Sequence, residues 1–280
     1  MSETGYLLGN ENTDAGARLA ALCSIFDHWT FEHLDRRGIT TGWRCWEVGA
    51  GGLSVARHMR EKVGDSGRVL ATDIDLTWMS GTGGRFAADP ALEVRHHDLS
   101  ADALPEEEFD LIHARLLLVH LSDRSDALHK LVSTLRPGGW LVVEDADPAL
   151  QPLSCMDPTT PAEHLANKIR TGFRALMAER GVDLAYGRKL PGALRDAGLA
   201  LVASDAYLPV ALPECAALET ATVKLIGEQL LTAGIATEAE IEIHLANVAA
   251  GGLDLSQPPL ISAWGQRPVT SVSQPISSDE

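Results

Sequence analysis

The stretch Trp43-Arg44-Cys45-Trp46-Glu47-Val48-Gly49-Ala50-Gly51-Gly52 decides the fold. An apolar run of strand length enters a glycine-rich turn, and residues 53–63 continue with helical spacing. Strand, tight turn and helix in that order open an α/β unit, because a parallel strand needs a long crossover to reach its neighbour. Glycine at 49 and 51 lets the chain turn sharply and lets backbone N–H groups approach a ligand with no Cβ in the way. A dinucleotide-binding turn would carry a third glycine at position 54, which is Ser54. Glu47, two residues before the first glycine, is poorly placed beside a pyrophosphate and well placed to face a cationic amino group. The stretch therefore favours an amino-acid-bearing nucleotide over a dinucleotide and disfavours a nicotinamide-dependent reductase.

Outward from this turn, short apolar runs alternate with helical patterns. Strands are expected at Arg44–Val48, Arg68–Thr72, Leu92–His96, Phe109–His113 and Trp140–Glu144, with helices at 53–63, 76–87 and 124–135. Before them, Leu19, Leu22, Phe26 and Trp29 form one apolar stripe of a helix over 14–37, with Asp14 as N-cap and Gly38 as its stop. After them come a Pro- and Asp-rich loop at 148–160 and a helix at 161–180. A short helix at Leu190–Ala197, a strand at Leu199–Pro209, a helical stretch at 213–250 with glycine interruptions near 227, 234 and 251, and a last strand at Leu260–Gly265 follow. The pattern predicts a Rossmann-like, doubly wound α/β fold: a mostly parallel seven-stranded sheet with helices on both faces. It divides into an N-terminal helical lid (1–42), a nucleotide-binding core (43–147) and a loop with helical cap (148–190). The rest of the core (191–267) contains a helical insertion at 213–250, and a frayed tail (268–280) ends the chain.

Composition narrows the function classes. The chain has 280 residues, 45% hydrophobic and 22% charged, enough for a large core without metal or disulfide support. Its net charge of -16 argues against general affinity for nucleic acid or anionic membrane, which needs clustered Lys and Arg. The four cysteines are far apart with no metal-ligand spacing, so no metal is expected and the thiols read as reduced. With no apolar leader and no membrane-length apolar run, the expectation is a soluble, cytoplasmic protein. Homo-oligomer formation through the first helix or 213–250 stays open.

In such sheets ligands sit beyond the carboxyl ends of the strands, so those ends carry the site. The second ends in Thr72-Asp73-Ile74-Asp75. A carboxylate there can accept from both ribose hydroxyls; Asp73 is the first choice and Asp75 the fallback, and Ile74 would offer an apolar face to an adenine ring. The third ends in His96-His97-Asp98-Leu99, where Asp98 stands as acceptor for an exocyclic amine. His96 and His97 face opposite sides of a strand and cannot chelate one metal together.

Glu47-x-Gly49-x-Gly51, Asp73, Asp98, Phe109-Asp110-Leu111-Ile112 and Leu135-Arg136-Pro137-Gly138-Gly139 together resemble the class I S-adenosylmethionine-dependent methyltransferases. In particular, they are similar to the small-molecule branch of quinone-biosynthesis and natural-product enzymes. The resemblance covers 43–147 in order and spacing, with weaker echoes at Tyr6-Leu7-Leu8-Gly9, Arg18-Leu19 and Ser262-Ala263-Trp264-Gly265. It implies that S-adenosylmethionine is the cofactor and S-adenosylhomocysteine the product. Glu47, Gly49, Ala50 and Gly51 would hold the methionine portion, Asp73 and Ile74 the ribose and adenine edge, and Asp98 and Leu99 the adenine. Tyr6 and Arg18 would lie near the methionine end, and Arg115 would be a further cofactor-binding residue. The family's turn has a third glycine where this chain has Leu53, which either crowds the methionine portion or points into the core as the first apolar residue of the next helix.

Methyl transfer mainly demands alignment, but a hydroxyl or ammonium acceptor must also lose a proton. His120 is the first candidate base, with His113 and Asp145 behind it; each also reads as a packed or structural residue. Trp29, Cys155, Met156, His164, Phe173 and Tyr207 are candidate acceptor contacts. The resulting expectation is methylation of a small organic acceptor, oxygen first among the acceptor atoms. An enzyme of the same fold catalysing a cyclisation or rearrangement, and a non-catalytic cofactor-binding scaffold, are the alternatives.

Overall fold

The computed structural model describes Leu7, residues 13–80 and residues 89–269. In chain order the elements are α1 (Thr13–Arg36), β1 (Arg44–Val48), α2 (Ser54–Val63), β2 (Arg68–Asp73), α3 (Thr77–Ser80), β3 (Leu92–His96), β4 (Phe109–Arg115) and α4 (Arg124–Thr134). They continue with β5 (Leu135–Ala146), α5 (Pro161–Glu179), α6 (Leu190–Asp196), β6 (Ala200–Tyr207), α7 (Pro213–Thr232), α8 (Glu238–Ala249) and β7 (Leu260–Gln266). One seven-stranded sheet runs β3-β2-β1-β4-β5-β7-β6, with β7 antiparallel to both of its neighbours.

The central strands are mainly apolar because both their faces are covered, with Glu47, His113 and Glu144 among the buried exceptions. On one face α4 and α6 pack Leu128, Leu131, Leu190 and Leu194 against Trp46, Ile112, Leu141 and Val143. On the other, α2 and the end of α1 pack Met59, Val63 and Leu34 against Cys45, Val69, Leu111 and Val142. Trp46 is fully buried, and its indole N–H donates to Thr72 Oγ1 at 2.9 Å, which ties β1 to β2. A third cluster joins Leu7 to Ile169 and Leu176 of α5 and to Val223, Ile226 and Leu230 of α7. Phe26 and Leu22 of α1 meet Leu218 of α7 and Leu260 of β7 in a fourth.

Two details differ from the sequence reading. The strand expected from Trp140 begins at Leu135, because Leu135 pairs with Phe109 before a register shift carries Trp140 opposite Leu111. Pro137 and Gly138 sit in that irregular stretch, where a missing N–H costs no ladder bond. The 213–250 stretch breaks at Gly234 (φ 66°), as expected, into two helices, and Thr237 with Glu240 caps α8 by a reciprocal capping box. Gly227 passes through α7 without interrupting it.

Leu53 lies in the core. It precedes α2 with a left-handed backbone (φ 65°) and packs in the cluster of Val55, Ala56 and Met59. A leucine in that conformation carries about 1–2 kcal/mol of strain, less than its burial returns. Leu53→Gly is expected to lower unfolding stability by about 1–3 kcal/mol, the lost packing outweighing the relieved strain. Chemical denaturation checks it; a stabilised variant would mean that strain dominates.

Candidate active site

At the carboxyl ends of β1, β2 and β4 lies a cavity of about 470 Å³, walled also by α1, α5 and α7. The sheet order reverses between β1 and β4, and a crevice forms at such a switch point because successive crossovers leave on opposite faces. Glu47, Gly49, Ala50, Gly51, Asp73, Ile74, Asp98, Leu99, Arg115, Arg18 and His120 all line it. Both turn glycines have positive φ (70° and 56°), and a Cβ on Gly49 would meet Leu117 Cδ1 at 3.2 Å. Leu116, also on the wall, holds a strained φ of 54° with its N–H bonded to the Glu144 carbonyl at 2.7 Å.

Asp73 Oδ2 accepts from Gly51 N–H and Oδ1 from Asp75 N–H, both at 3.0 Å. Each oxygen retains a second lone pair for a ligand hydroxyl. Asp98 Oδ1 accepts from Ser100 N–H at 2.8 Å. Ile74 is 64% exposed, an apolar face at the rim of the crevice.

Beneath Glu47 runs a buried charged array. Glu47 and His113 are direct neighbours across β1 and β4, and their side chains meet at 2.7 Å, Oε2 to Nδ1. His113 Nε2 lies 3.3 Å from Glu144 Oε2, and Glu144 Oε1 accepts from Ser262 at 2.6 Å. Thr30 of α1 donates to Glu144 and accepts from Arg115 Nη1 at 2.9 Å, while Arg115 Nη2 pairs with Asp27 at 2.9 Å. Burial opposes the His113 imidazolium, but the Glu47 charge and the bonds to Glu144 and Glu47 overcome it and push its pKa up to about 9. Burial also opposes the Glu144 carboxylate, yet His113 and Arg115 hold it down to about 2. For Glu47, burial outweighs those same cations, and the net direction is up. Three carboxylates (Glu47, Glu144, Asp27) thus share two cations (His113, Arg115), and Glu47 is the carboxylate of the three that faces the cavity.

Two expected bases are corrected. His113 is fully buried between two carboxylates and is not part of the cavity wall. Asp145 is also buried off the wall; burial pushes its pKa well above the carboxylate range against an opposing bond from Val119 N–H. Neither lines the cavity. His120 does line the cavity, and burial together with the Arg18 and Arg124 charges brings it down to about 4, so it is a neutral, weakly basic imidazole at physiological pH. Tyr6 lies outside the described residues.

Of the six expected acceptor contacts, Phe173 lines the cavity. Trp29 and Tyr207 stack on each other (ring centroids 5.3 Å apart) away from the wall, and the Trp29 indole donates to Ser262. Cys155 is buried in a bridge to Leu255, while Met156 and His164 face outward. Arg170, Leu218, Glu219 and Gln257 line the site without having been singled out from the sequence. No group of three or more His, Cys, Asp or Glu side chains among the described residues is arranged to hold a metal ion. No described helix is long and apolar enough to cross a membrane.

Residues 46–143 match the family model described as a methyltransferase domain. Among curated proteins, the chain is 30% identical over 131 residues to the ubiquinone/menaquinone biosynthesis C-methyltransferase UbiE of Vibrio parahaemolyticus, covering 45% of this chain and 50% of that protein. It is 25% identical over 186 residues to phosphoethanolamine N-methyltransferase 1 of Zea mays, covering 65% and 34%. The chain spans about half the length of the first of these relatives and about a third of the second. Among solved structures, a Haemonchus contortus phosphoethanolamine N-methyltransferase 2 in complex with phosphomonomethylethanolamine and S-adenosylhomocysteine superposes with a TM-score of 0.59 at 14% identity, covering 96% of this chain and 61% of that one. The [4+2]-cyclase SpnF does so at 0.51 and 15%, covering 86% and 81%. At these identities the structural likeness is one of fold.

Proposed function

We propose that the chain, whose residues 46–143 match a methyltransferase-domain family model, binds S-adenosylmethionine and methylates a small organic acceptor. Glu47 takes the cofactor's ammonium group, the Gly49–Gly51 backbone follows its methionine portion, and Asp73 holds the ribose. Ile74 covers one face of the adenine, with Asp98 and Leu99 at its amine edge and Arg18 and Arg115 at the methionine end. The placement of Glu47 on the cavity wall beside the glycine turn carries this reading: burial disfavours its carboxylate, and an incoming cation would stabilise it.

When bound, the cofactor supplies an electrophilic methyl group, so the protein's task is to align an acceptor and exclude water. Leu116, Leu117 and Val119 make an apolar wall for this, with His120 as the candidate acid–base group. A neutral imidazole of such low basicity orients a nucleophile better than it deprotonates one. The acceptor must therefore bring its own acidity. A phenolic or enolic hydroxyl does so, and oxygen is the acceptor atom we assign; product analysis separates it from carbon or nitrogen.

Calorimetric titration with S-adenosylmethionine, S-adenosylhomocysteine and NADH tests the cofactor. Both adenosyl ligands are expected to bind and NADH is not. Asp73→Asn is expected to weaken the adenosyl ligands about tenfold, because the amide keeps an acceptor oxygen but loses the charge. If neither adenosyl ligand binds, the methyltransferase reading falls.

A further inference from the structure

Beyond the cofactor residues the cavity continues between α5, α7 and the segment before β7. Phe173 and Met177 of α5, Leu218 of α7 and Val182 make this part of the wall apolar, and Thr222 adds a hydroxyl that carries no charge. Its charged residues are Arg170 of α5 and Glu219 of α7, and each is engaged by the other. Arg170 Nη2 donates to Glu219 Oε2 at 2.9 Å and lies 3.3 Å from both the Ser256 carbonyl and Gln257 Oε1. Glu219 Oε1 lies 3.0 Å from His244 Nε2, and the Gln257 amide donates to the Cys215 carbonyl. The Arg170 and Glu219 side chains are 5% and 4% exposed, so the pair is sealed in the wall and presents no ion to the cavity.

Such a pair matters to a ligand through its field. A single buried charge acts strongly across a poorly polarisable cavity, whereas a cation and an anion in contact cancel within a few ångströms. Burial opposes the Glu219 carboxylate, but the Arg170 charge and the His244 bond overcome it and hold its pKa below the usual carboxylate value. The cancelling charge is therefore in place at neutral pH. An ion entering this part of the cavity gives up its hydration and meets no counter-charge, while an uncharged apolar molecule gains contact and forfeits little.

We propose that this part of the cavity selects an uncharged, largely apolar acceptor, and that Glu219 enforces the choice by cancelling the Arg170 charge within the wall. Glu219 is then a specificity-determining residue that acts through Arg170 and touches no reacting atom. The inference rests on the methyl-transfer reading for calling the ligand an acceptor, but not for the binding itself.

The test uses three naphthalenes of one shape: 2-isopropylnaphthalene, 2-naphthoate and the cation 1-(2-naphthyl)ethylammonium. Each is measured by equilibrium dialysis against protein saturated with S-adenosylhomocysteine. In the wild type the hydrocarbon is expected to bind about tenfold or more tighter than either ion. In Glu219→Gln the Arg170 charge is left without its counter-charge, and the naphthoate is expected to gain about tenfold relative to the hydrocarbon while the ammonium gains nothing. Arg170→Met carries the same test with the opposite sign, the ammonium gaining, should Glu219→Gln fail to fold. Phe173→Ala is expected to weaken the hydrocarbon about tenfold, which locates it in this part of the cavity. Either ion binding the wild type as tightly as the hydrocarbon overturns the proposal, as does failure of all three to bind or an unchanged hydrocarbon affinity in Phe173→Ala. An unchanged ratio of ion to hydrocarbon in the charge variants removes Glu219 from the role. Prior titration with S-adenosylhomocysteine separates these outcomes from failure of the cofactor reading, which would show as absence of that binding in the wild type.

Discussion

Glu47→Gln is expected to weaken S-adenosylhomocysteine binding by about a hundredfold or more while leaving 5′-methylthioadenosine binding unchanged. The two ligands share adenine and ribose, and the second lacks the amino acid. Removing one partner of a buried charge pair costs several kcal/mol, mainly because the other charge is left without its match. Here the ligand's ammonium would enter a buried site in which His113 and Arg115 are shared among Glu47, Glu144 and Asp27. Glutamine keeps the shape of the side chain, so the comparison isolates charge. Equal losses for both ligands would mean that the variant disturbs the whole crevice, and no loss for either would remove Glu47 from the cofactor site.

The second large effect concerns stability. His113→Gln leaves three buried or half-buried carboxylates with Arg115 alone, and stranding a buried charge costs about 3–5 kcal/mol. For a chain of this size that lowers the melting temperature by about 10 °C. The pH dependence identifies the source. The His113 pKa rises from 6.5 in the unfolded chain to about 9 in the folded one, so the native state binds the extra proton. Its stabilisation is complete below about pH 6.5 and is lost as pH climbs through 9, about 3 kcal/mol in all. His120 works on the acid side: its depressed pKa of about 4 means that the unfolded chain gains the proton first, so stability falls as pH drops from 6.5. Thermal unfolding of wild type and variant across that range separates the two. The alkaline decline is expected to disappear in His113→Gln while the acid decline persists; an unchanged alkaline slope would clear His113 of the role.

The cofactor half of the crevice was legible because each of its residues lies in or immediately after one strand end. Glu47, Asp73 and Asp98 need only the strand rhythm to be brought together, and apolar runs buried on both faces announce that rhythm plainly. The part of the crevice between α5 and α7 was not legible. Arg170 and Glu219 are 49 residues apart on different helices, and a helical arginine reads as a solvated one until the partner that buries it is known. Trp29 and Tyr207 misled for the converse reason: aromatic residues at plausible positions satisfied each other and left the wall. His113 is an intermediate case. Its register opposite Glu47 follows once β1 and β4 are aligned, and that neighbour turns an apparent base into a buried cation.

The position of β7 bears on how the chain reaches this state. The strand is last in sequence among the seven yet sits between β5 and β6. While the chain is being synthesised, β5 therefore waits with an unpaired edge, and β6 has no sheet to join until residues 260–266 emerge. An open apolar edge of that kind recruits other chains, so the interval before β7 inserts is the one in which nascent copies are most exposed to aggregation. Insertion also docks Ser262 onto Glu144, the root of the buried array. The sheet and the floor of the crevice are consequently completed in the same late event.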